Sequence, residues 1–558
     1  MKLNVNTRYQ LFIFLLALIF FVPFLGGVHL FDWDEINFAE SAREMILSKD
    51  FLTVQINYQP FWEKPPLFIW MQVLSMKIFG INEFAARFPN AICGIFTLLV
   101  LFNIGKKIYS QQFGFLWVIV YLGSILPHFY FKSGLIDPWF NLFIFCGLYF
   151  MIEYWQQWEK DKIPPFSKRL ICASLSGLFI GLGVLTKGPV ALLLFALTVI
   201  IYLSIQFFRK QWKLSQISAH LLPLSTWIII FSLTGGFWFI LQIFNGNYKI
   251  IVDFIQYQKE LFSAKVAGHG GFFGYHFVVL FFGVFPASIF ALKAFRKNNF
   301  DDKLQKNFKF WMLVLFWVVL ILFSIVKTKI VHYSSLAYFP ITFLASWSIW
   351  YMAQNKLKWN KAINAALFSI LGLIAVILIA LQYVGMNASE IIQSGIINDK
   401  FANGNLLADI YWSGFEFLII LLPLAGFIFS LLYFNENLLN RSIGIFGSVA
   451  LFVTFAIFIY INRIEGYSQN AAIEFYKSKQ TEDCYIETSG FKSYAYLFYS
   501  MKPIQSNANH TDKNWLMTGE TDKKVYIVTK NTKKEKLLEI NPDLKILYEK
   551  NGFVFLER

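Results

Sequence analysis

Residues 31–66 read FDWDEINFAESAREMILSKDFLTVQINYQPFWEKPP. The stretch follows directly on the first long apolar segment and gathers acids, an arginine and lysines where the surrounding chain is mostly apolar. Fixed charges beside a bilayer are costly, so they tend to be few and functional. A reacting centre is therefore expected in this loop, over residues 30–87. Within it, Asp32 is placed to cap a helix, with Glu35 three residues on completing a capping-box-like pair. That helix should run to about Leu47 and stop at Ser48-Lys49-Asp50. Pro65-Pro66 then opens an apolar stretch from Leu67 to Phe79, closed by Gly80. It is shorter than the ~20 residues a span needs, which predicts a helix lying in the interface. Asn82 should cap a second short helix leading into Pro89. Juxtamembrane helices of this kind can wall a site for a lipid substrate.

The remainder of the chain makes this loop an exception. Of 558 residues, 57% are hydrophobic and 15% charged, against ~25% charged in soluble proteins. The fold class expected is mainly α: a polytopic membrane protein with a small C-terminal α/β soluble domain. Apolar runs near 9–29, 88–105, 113–131, 135–155, 168–186, 189–207, 218–242, 272–295, 308–326, 333–353, 361–384, 414–434 and 441–461 give about thirteen transmembrane helices. The N-terminal run lacks a small-residue cleavage site and reads as a retained first span. Lys2 and Arg8, Lys106-Lys107, Lys160 to Arg169, Arg209 to Lys213, Lys293 to Lys309, Lys356 to Lys361 and Arg441 fall in alternate loops. The positive-inside rule places these loops and the N-terminus in the cytoplasm. The +15 net charge is thus an orientation signal, and no nucleic-acid partner is expected. Residues 1–462 form the membrane domain. After about Arg463 the composition changes: Val525 to Val528 and Leu544 to Tyr548 read as strands, Ala471 to Lys479 and Lys533 to Ile540 as helices. Residues 463–558 are expected as a domain on the outer, periplasmic side. The four cysteines have neither metal-ligand spacing nor a disulfide framework.

Every polar cluster falls on the outer side. Asp34 is the candidate general base, because Asp32 already supplies a cap; Glu35 fits the helix N-terminus. In Glu63-Lys64-Pro65-Pro66 the extended backbone before proline aims the Glu63 and Lys64 side chains to opposite sides. Lys187, in Thr186-Lys187-Gly188-Pro189, sits at the hinge between two spans and beside a helix N-terminus that favours anions. Lys327, Lys329, His332 and Tyr333 occupy another tight outer turn suited to a phosphate or to headgroup anchoring. Asp137 opens a span, and His269 lies in a glycine-rich loop; with Glu35 and His332 they are candidates for acceptor or metal contacts. No P-loop, HExxH, GxSxG or CxxC pair occurs. An outer-face enzyme without a soluble nucleotide, and without an organic cofactor, must draw on an activated substrate delivered in the membrane. A sugar on polyprenyl phosphate supplies the tail, the phosphate for lysines, and an anomeric carbon.

Asp34-Glu35 followed by Phe38-Ala39-Glu40-Ser41-Ala42-Arg43-Glu44-Met45 resembles the DE…YAE-x-aREM stretch of bacterial lipid A aminoarabinose transferases. These group with the protein O-mannosyltransferases in the lipid-dependent, polytopic GT-C class. Phe61 to Pro66 is similar to their YFEKPP, Leu185 to Pro189 to LTKGP, and Phe323-Ser324…Lys327-Thr328-Lys329…His332-Tyr333 to FS…KTK…HY. The resemblance covers roughly residues 30–345. It implies inverting transfer from a polyprenyl-phosphate sugar, with a divalent cation of unknown identity nearby. Asp34 and Glu63 would be the catalytic acids, and Lys64, Lys187, Lys329 and Tyr333 donor-binding positions. Asn37, Phe38 and Phe61 depart from the usual Arg, Tyr and Tyr, and the family's arginine of the 250–270 loop is replaced near Leu261. The acceptor, a lipid, a protein or a glycan, stays open. A lipid-sugar flippase is the non-enzyme alternative, and the scarcity of charge in mid-span counts against it.

Overall fold

The structure is a computed structural model that describes residues 4–158, 166–208, 218–263, 270–296 and 299–558. Each apolar run is built around helix, as hydrocarbon demands of a backbone that must satisfy its own N–H and C=O groups. Among the described residues, seven helices are long and apolar enough to cross a membrane, or nine if two bent pairs each count once. The total falls below thirteen because several runs break. The 113–131 run divides into Gln111–Leu122 and Ile125–Tyr130. The 272–295 run bends by 109° between Tyr275–Gly283 and Ala287–Phe295, where Pro286 lacks the N–H a straight helix would use. Val5–Phe21 and Tyr338–Ala353 have only 17 and 16 residues. Small residues set the closest packing: a Cβ on Gly177 would lie 2.7 Å from the Trp227 carbonyl, and one on Gly181 2.7 Å from Thr234. This one-turn glycine pair lets Phe166–Lys187 seat against Ser218–Gly235.

Over the bundle lies the 30–87 segment. Its first helix, Asp34–Ser48, ends as expected, with Lys49 left-handed at φ 60°. Asp32 does not cap it. The N-cap is Trp33, without a side-chain cap bond, and Asp32 turns instead to the Ser493 hydroxyl and the Tyr494 backbone N–H. A hairpin not anticipated from sequence follows: β1 (Gln55–Ile56) pairs antiparallel with β2 (Gln59–Pro60). Asn57 and Tyr58 both have positive φ, as a tight hairpin turn requires. The buried Glu44 carboxylate accepts both their amides, at 2.6 and 2.8 Å. Leu67–Phe79 is the expected short helix, stopped by Gly80 at φ 81°. Asn82 caps through the Ala85 N–H, but the helix it starts is one 26-residue element, Glu83–Ile108, running through Pro89. The expected short helix and the next span are thus continuous.

The C-terminal part carries a four-stranded sheet in the order β3 (Cys484–Ser489), β4 (Lys524–Lys530), β6 (Phe553–Glu557), β5 (Lys545–Lys550). β3 and β4 run parallel and the other pairs antiparallel. Side-chain alternation along β4 decides the packing. Val525 and Ile527 enter a core with Leu537 and Leu556. Tyr526 and Val528 enter another that includes Leu30, Ile36, Phe38 and Phe68. One sheet face is therefore built on the 30–87 loop, so the C-terminal part and that loop share a hydrophobic core. Leu30 N–H donates to the Tyr499 hydroxyl (2.6 Å), and Arg43 Nη1 to the Lys502 carbonyl (3.0 Å).

Candidate active site

The site begins with Asp34 in the first turn of its helix, where the helix dipole favours an anion. Its Oδ2 lies 3.4 Å from His332 Nε2, and the same nitrogen lies 3.8 Å from Asp137 Oδ2. Asp137, first residue of Asp137–Trp158, is buried and receives Lys187 Nζ at 2.6 Å. Lys187 reaches this point because its helix ends there. Gly188 takes φ 96°, and a Cβ at that position would lie 2.5 Å from the Phe254 ring, so glycine alone makes the turn without displacing Phe254. The Lys187 ammonium sits 5.2 Å over the Tyr333 ring and 5.6 Å over Phe140.

Glu63 and Lys64 form the other wall. Glu63 Oε2 accepts the Tyr257 hydroxyl at 3.1 Å, and Lys64 Nζ lies 5.3 Å over the Tyr257 ring. Burial pushes the Lys64 ammonium below the usual lysine range; Glu63 and Asp34 oppose this, and Lys187 adds to it. Burial likewise lowers His332, against Asp137 and with Lys187. Burial raises the Tyr257 phenol, and Glu63 raises it further. Asp34, Glu63, Lys64, Asp137, Lys187, His332 and Tyr333 are thus brought within mutual electrostatic reach, from turns scattered over 300 positions of sequence.

Other expected members stand elsewhere. Glu35 is neither a capping-box partner nor free for an acceptor or metal. Its buried carboxylate accepts the Phe31 N–H (2.9 Å), the Gly134 N–H, and Arg87 Nε and Nη2 at 3.1 and 2.8 Å. Burial opposes its charge, yet Arg87 holds the carboxyl below its ordinary range. Arg87 also donates to the Leu25, Val28 and His29 carbonyls, tying the end of the first apolar segment to the loop. Lys329 spends its hydrogen bonds within its own turn: its ammonium donates to the Phe323 and Ser324 carbonyls at 2.8 and 2.7 Å, closing the helix Lys303–Ile325. Lys327 is exposed in the same turn. His269 lies outside the described residues. Tyr257 and Arg87 were missed. Nothing in sequence marked Tyr257. An arginine entering an apolar run was a usable signal for Arg87, because such a charge needs a partner.

Among the described residues no group of three His, Cys, Asp or Glu side chains is placed to hold a metal ion, and Lys187 donates to Asp137 Oδ1. What the arrangement can do is hold an anion on Lys64 and Lys187 beside a carboxylate, Asp34, that is partly open to solvent.

Fold and site together define a polytopic, mainly helical membrane protein with an ordered loop and a small C-terminal sheet on one side of its bundle. The family model described as dolichyl-phosphate-mannose-protein mannosyltransferase matches residues 63–234. The chain is 28% identical over 389 residues to an undecaprenyl phosphate-alpha-4-amino-4-deoxy-L-arabinose arabinosyl transferase of Photorhabdus laumondii, covering 67% of this chain and 66% of that one. A transferase of the same name from Shewanella sediminis is 26% identical over 402 residues, 70% and 68% of the two chains. The match thus spans about two thirds of these relatives' length. The crystal structure of ArnT from Cupriavidus metallidurans bound to undecaprenyl phosphate superposes with a TM-score of 0.76 at 16% identity, covering 99% of this chain and 98% of that one. The apo crystal structure gives 0.74. The resemblance to lipid-linked-sugar-dependent membrane glycosyltransferases drawn from the motifs is borne out, and the fold is that of ArnT.

Proposed function

We propose that the chain transfers a sugar from a polyprenyl-phosphate donor to an acceptor at the periplasmic face of a bacterial inner membrane, with inversion at the anomeric carbon. The carrying observation is the convergence of Asp34, Glu63-Lys64, Asp137, Lys187 and His332-Tyr333 into one cluster beside the interfacial helix Leu67–Phe79. Lys64 and Lys187 hold the phosphate, with Tyr333 beside them. Asp34 takes the proton from the incoming acceptor oxygen or nitrogen as it attacks the anomeric carbon. The bond to the phosphate oxygen breaks, and the phosphate leaves as an anion that the lysines stabilise. Glu63, held by Tyr257, orients the acceptor or the sugar. The names of the relatives favour a 4-amino-4-deoxy-arabinose donor on undecaprenyl phosphate; the resemblance of the loop motifs to lipid A aminoarabinose transferases favours lipid A as acceptor, with a protein hydroxyl or surface glycan as the second reading.

Glycosyl transfer by the purified chain, from synthetic polyprenyl-phosphate sugars, tests the proposal. Asp34→Asn should bind donor nearly normally while turnover falls at least ~10²-fold. Full turnover in Asp34→Asn, with Glu63→Gln inactive, would exchange the two roles.

A further inference from the structure

A cavity of about 530 Å³ opens where the end of the first apolar segment, the 385–413 segment and the end of the helix Leu438–Gly466 meet. None of the residues clustered around Asp34 lines it. Its walls carry three carboxylates, Glu83, Asp409 and Glu465, against Lys477 and Arg463. Arg463 is already committed: it donates to Glu416 Oε1 at 2.8 Å and to the Tyr411 and Ile459 carbonyls at 3.1 and 2.7 Å. Lys477 Nζ donates to His29 Nε2 at 2.9 Å and lies 3.9 Å from Glu83 Oε1. His29 Nδ1 in turn meets Glu465 Oε1 at 3.0 Å. Asp409 is exposed, and its carboxylate makes no hydrogen bond or ion pair among the described residues. The cavity thus has acid in surplus around one ammonium. We propose that it binds the headgroup of a membrane phospholipid with a primary amine beside its phosphate, the amine on the carboxylates and the phosphate on Lys477. This goes beyond the glycosyl-transfer reading and does not rest on it.

Three observations carry it. First, the surplus of acid disfavours a headgroup with only negative charge, and a primary ammonium brings three N–H donors that a quaternary one lacks. Second, a path for acyl chains starts at the cavity. Leu451, Phe455 and Phe458 are exposed at i, i+4 and i+7 of the helix whose Asn462 lines the cavity one turn further on. Phe24, two residues before Gly26 on the cavity wall, is exposed too and meets Phe458 with ring centroids 4.7 Å apart. Third, the helix changes pitch at this point. Ile457–Ile461 is a π-helical turn, a feature that often accompanies functional sites. Arg463 Nη1 closes on its Ile459 carbonyl, so a cavity residue holds the turn.

The test titrates the full chain, purified in detergent, with phosphatidylethanolamine, phosphatidylcholine and phosphatidylglycerol of identical acyl chains, and reads bound lipid by native mass spectrometry. Phosphatidylethanolamine should bind ~10-fold more tightly than either of the others. Asp409→Asn should remove that preference and leave phosphatidylcholine unchanged, with the thermal midpoint held because Asp409 is exposed and unpaired. Lys477→Ala should weaken all three lipids. Soluble glycerophosphoethanolamine should fail to displace the lipid; displacement at the lipid's own affinity would overturn a membrane ligand. Equal binding of phosphatidylethanolamine and phosphatidylcholine, preference for phosphatidylglycerol, or an unchanged preference in Asp409→Asn would overturn the site. Binding is read without sugar donor or acceptor, so its failure is distinguishable from failure of the glycosyl-transfer assay.

Discussion

His332 stands between two carboxylates and is nevertheless held below the ordinary histidine range, because burial and Lys187 outweigh the pull of Asp137 and Asp34. At neutral pH it is therefore neutral and can donate one N–H. As pH falls through its lowered value, protonation sets a cation against Asp34 and weakens it as a base. Turnover should drop along that acid limb, and His332→Gln should flatten it in a kcat–pH profile. The stability sign agrees. The folded chain holds this proton less tightly than the unfolded chain, whose histidine titrates near ~6.5. Stability contributed at neutral pH is thus lost as pH falls from that range. Tyr257 acts through Glu63 and is a positioning residue. Tyr257→Phe removes one hydrogen bond at 3.1 Å. It should lower kcat about 10-fold with donor affinity nearly unchanged, consistent with ~1.4 kcal/mol. A change in donor Kd alone would place Tyr257 on the phosphate instead.

At the scale of elements, two lysines from matching turns have opposite uses. Lys187 extends beyond the end of Phe166–Lys187 toward Asp137, while Lys329 folds back onto the last carbonyls of Lys303–Ile325. Lys187→Ala should weaken donor binding by about 1–3 kcal/mol, the scale of a lost charge-assisted hydrogen bond. Lys329→Ala should instead lower the thermal midpoint and spare the donor affinity of the protein that remains folded. Measuring both quantities on both variants decides the assignment; equal loss of donor affinity would return Lys329 to the site. Gly188→Ala should impair both properties, since its left-handed backbone and the Phe254 ring leave no room for a methyl group.

For the molecule as a whole, the loop and the C-terminal sheet share a core and must lie on one side of the membrane. On the orientation proposed from the loop charges, that side is the periplasm. All four native cysteines are buried, so the background for thiol labelling is low. A membrane-impermeant thiol reagent should label Asn57→Cys, but not Asn299→Cys, in spheroplasts; the reverse would invert the topology. Truncation after residue 462 should abolish activity, because it exposes the apolar side of the 30–87 loop as well as removing the sheet.

Much of this was legible in the sequence for local reasons. The short interfacial helix is read from Pro66 and Gly80 at its ends, and the Lys187 turn from Gly188-Pro189. Hydrophobic run length and loop charge gave a polytopic helical chain with its polar clusters gathered on one side. Spacing and residue type singled out Asp34, Glu63, Lys64, Asp137, Lys187, His332 and Tyr333. Partner choice was not legible, because it depends on contacts between residues far apart in the chain. Asp32 had the spacing of a cap, yet Ser493 and Tyr494 compete for it. Glu35 had the spacing of a capping box, yet Arg87, 52 positions away, takes it. Lys329 had the motif of a phosphate ligand, yet the orphan carbonyls of its own preceding helix lie nearer. Sequence therefore determined which side chains carry charge and where helices stop. Tertiary structure decided which charges meet, because a charge withdrawn from water takes whichever partner the packing brings within hydrogen-bond reach.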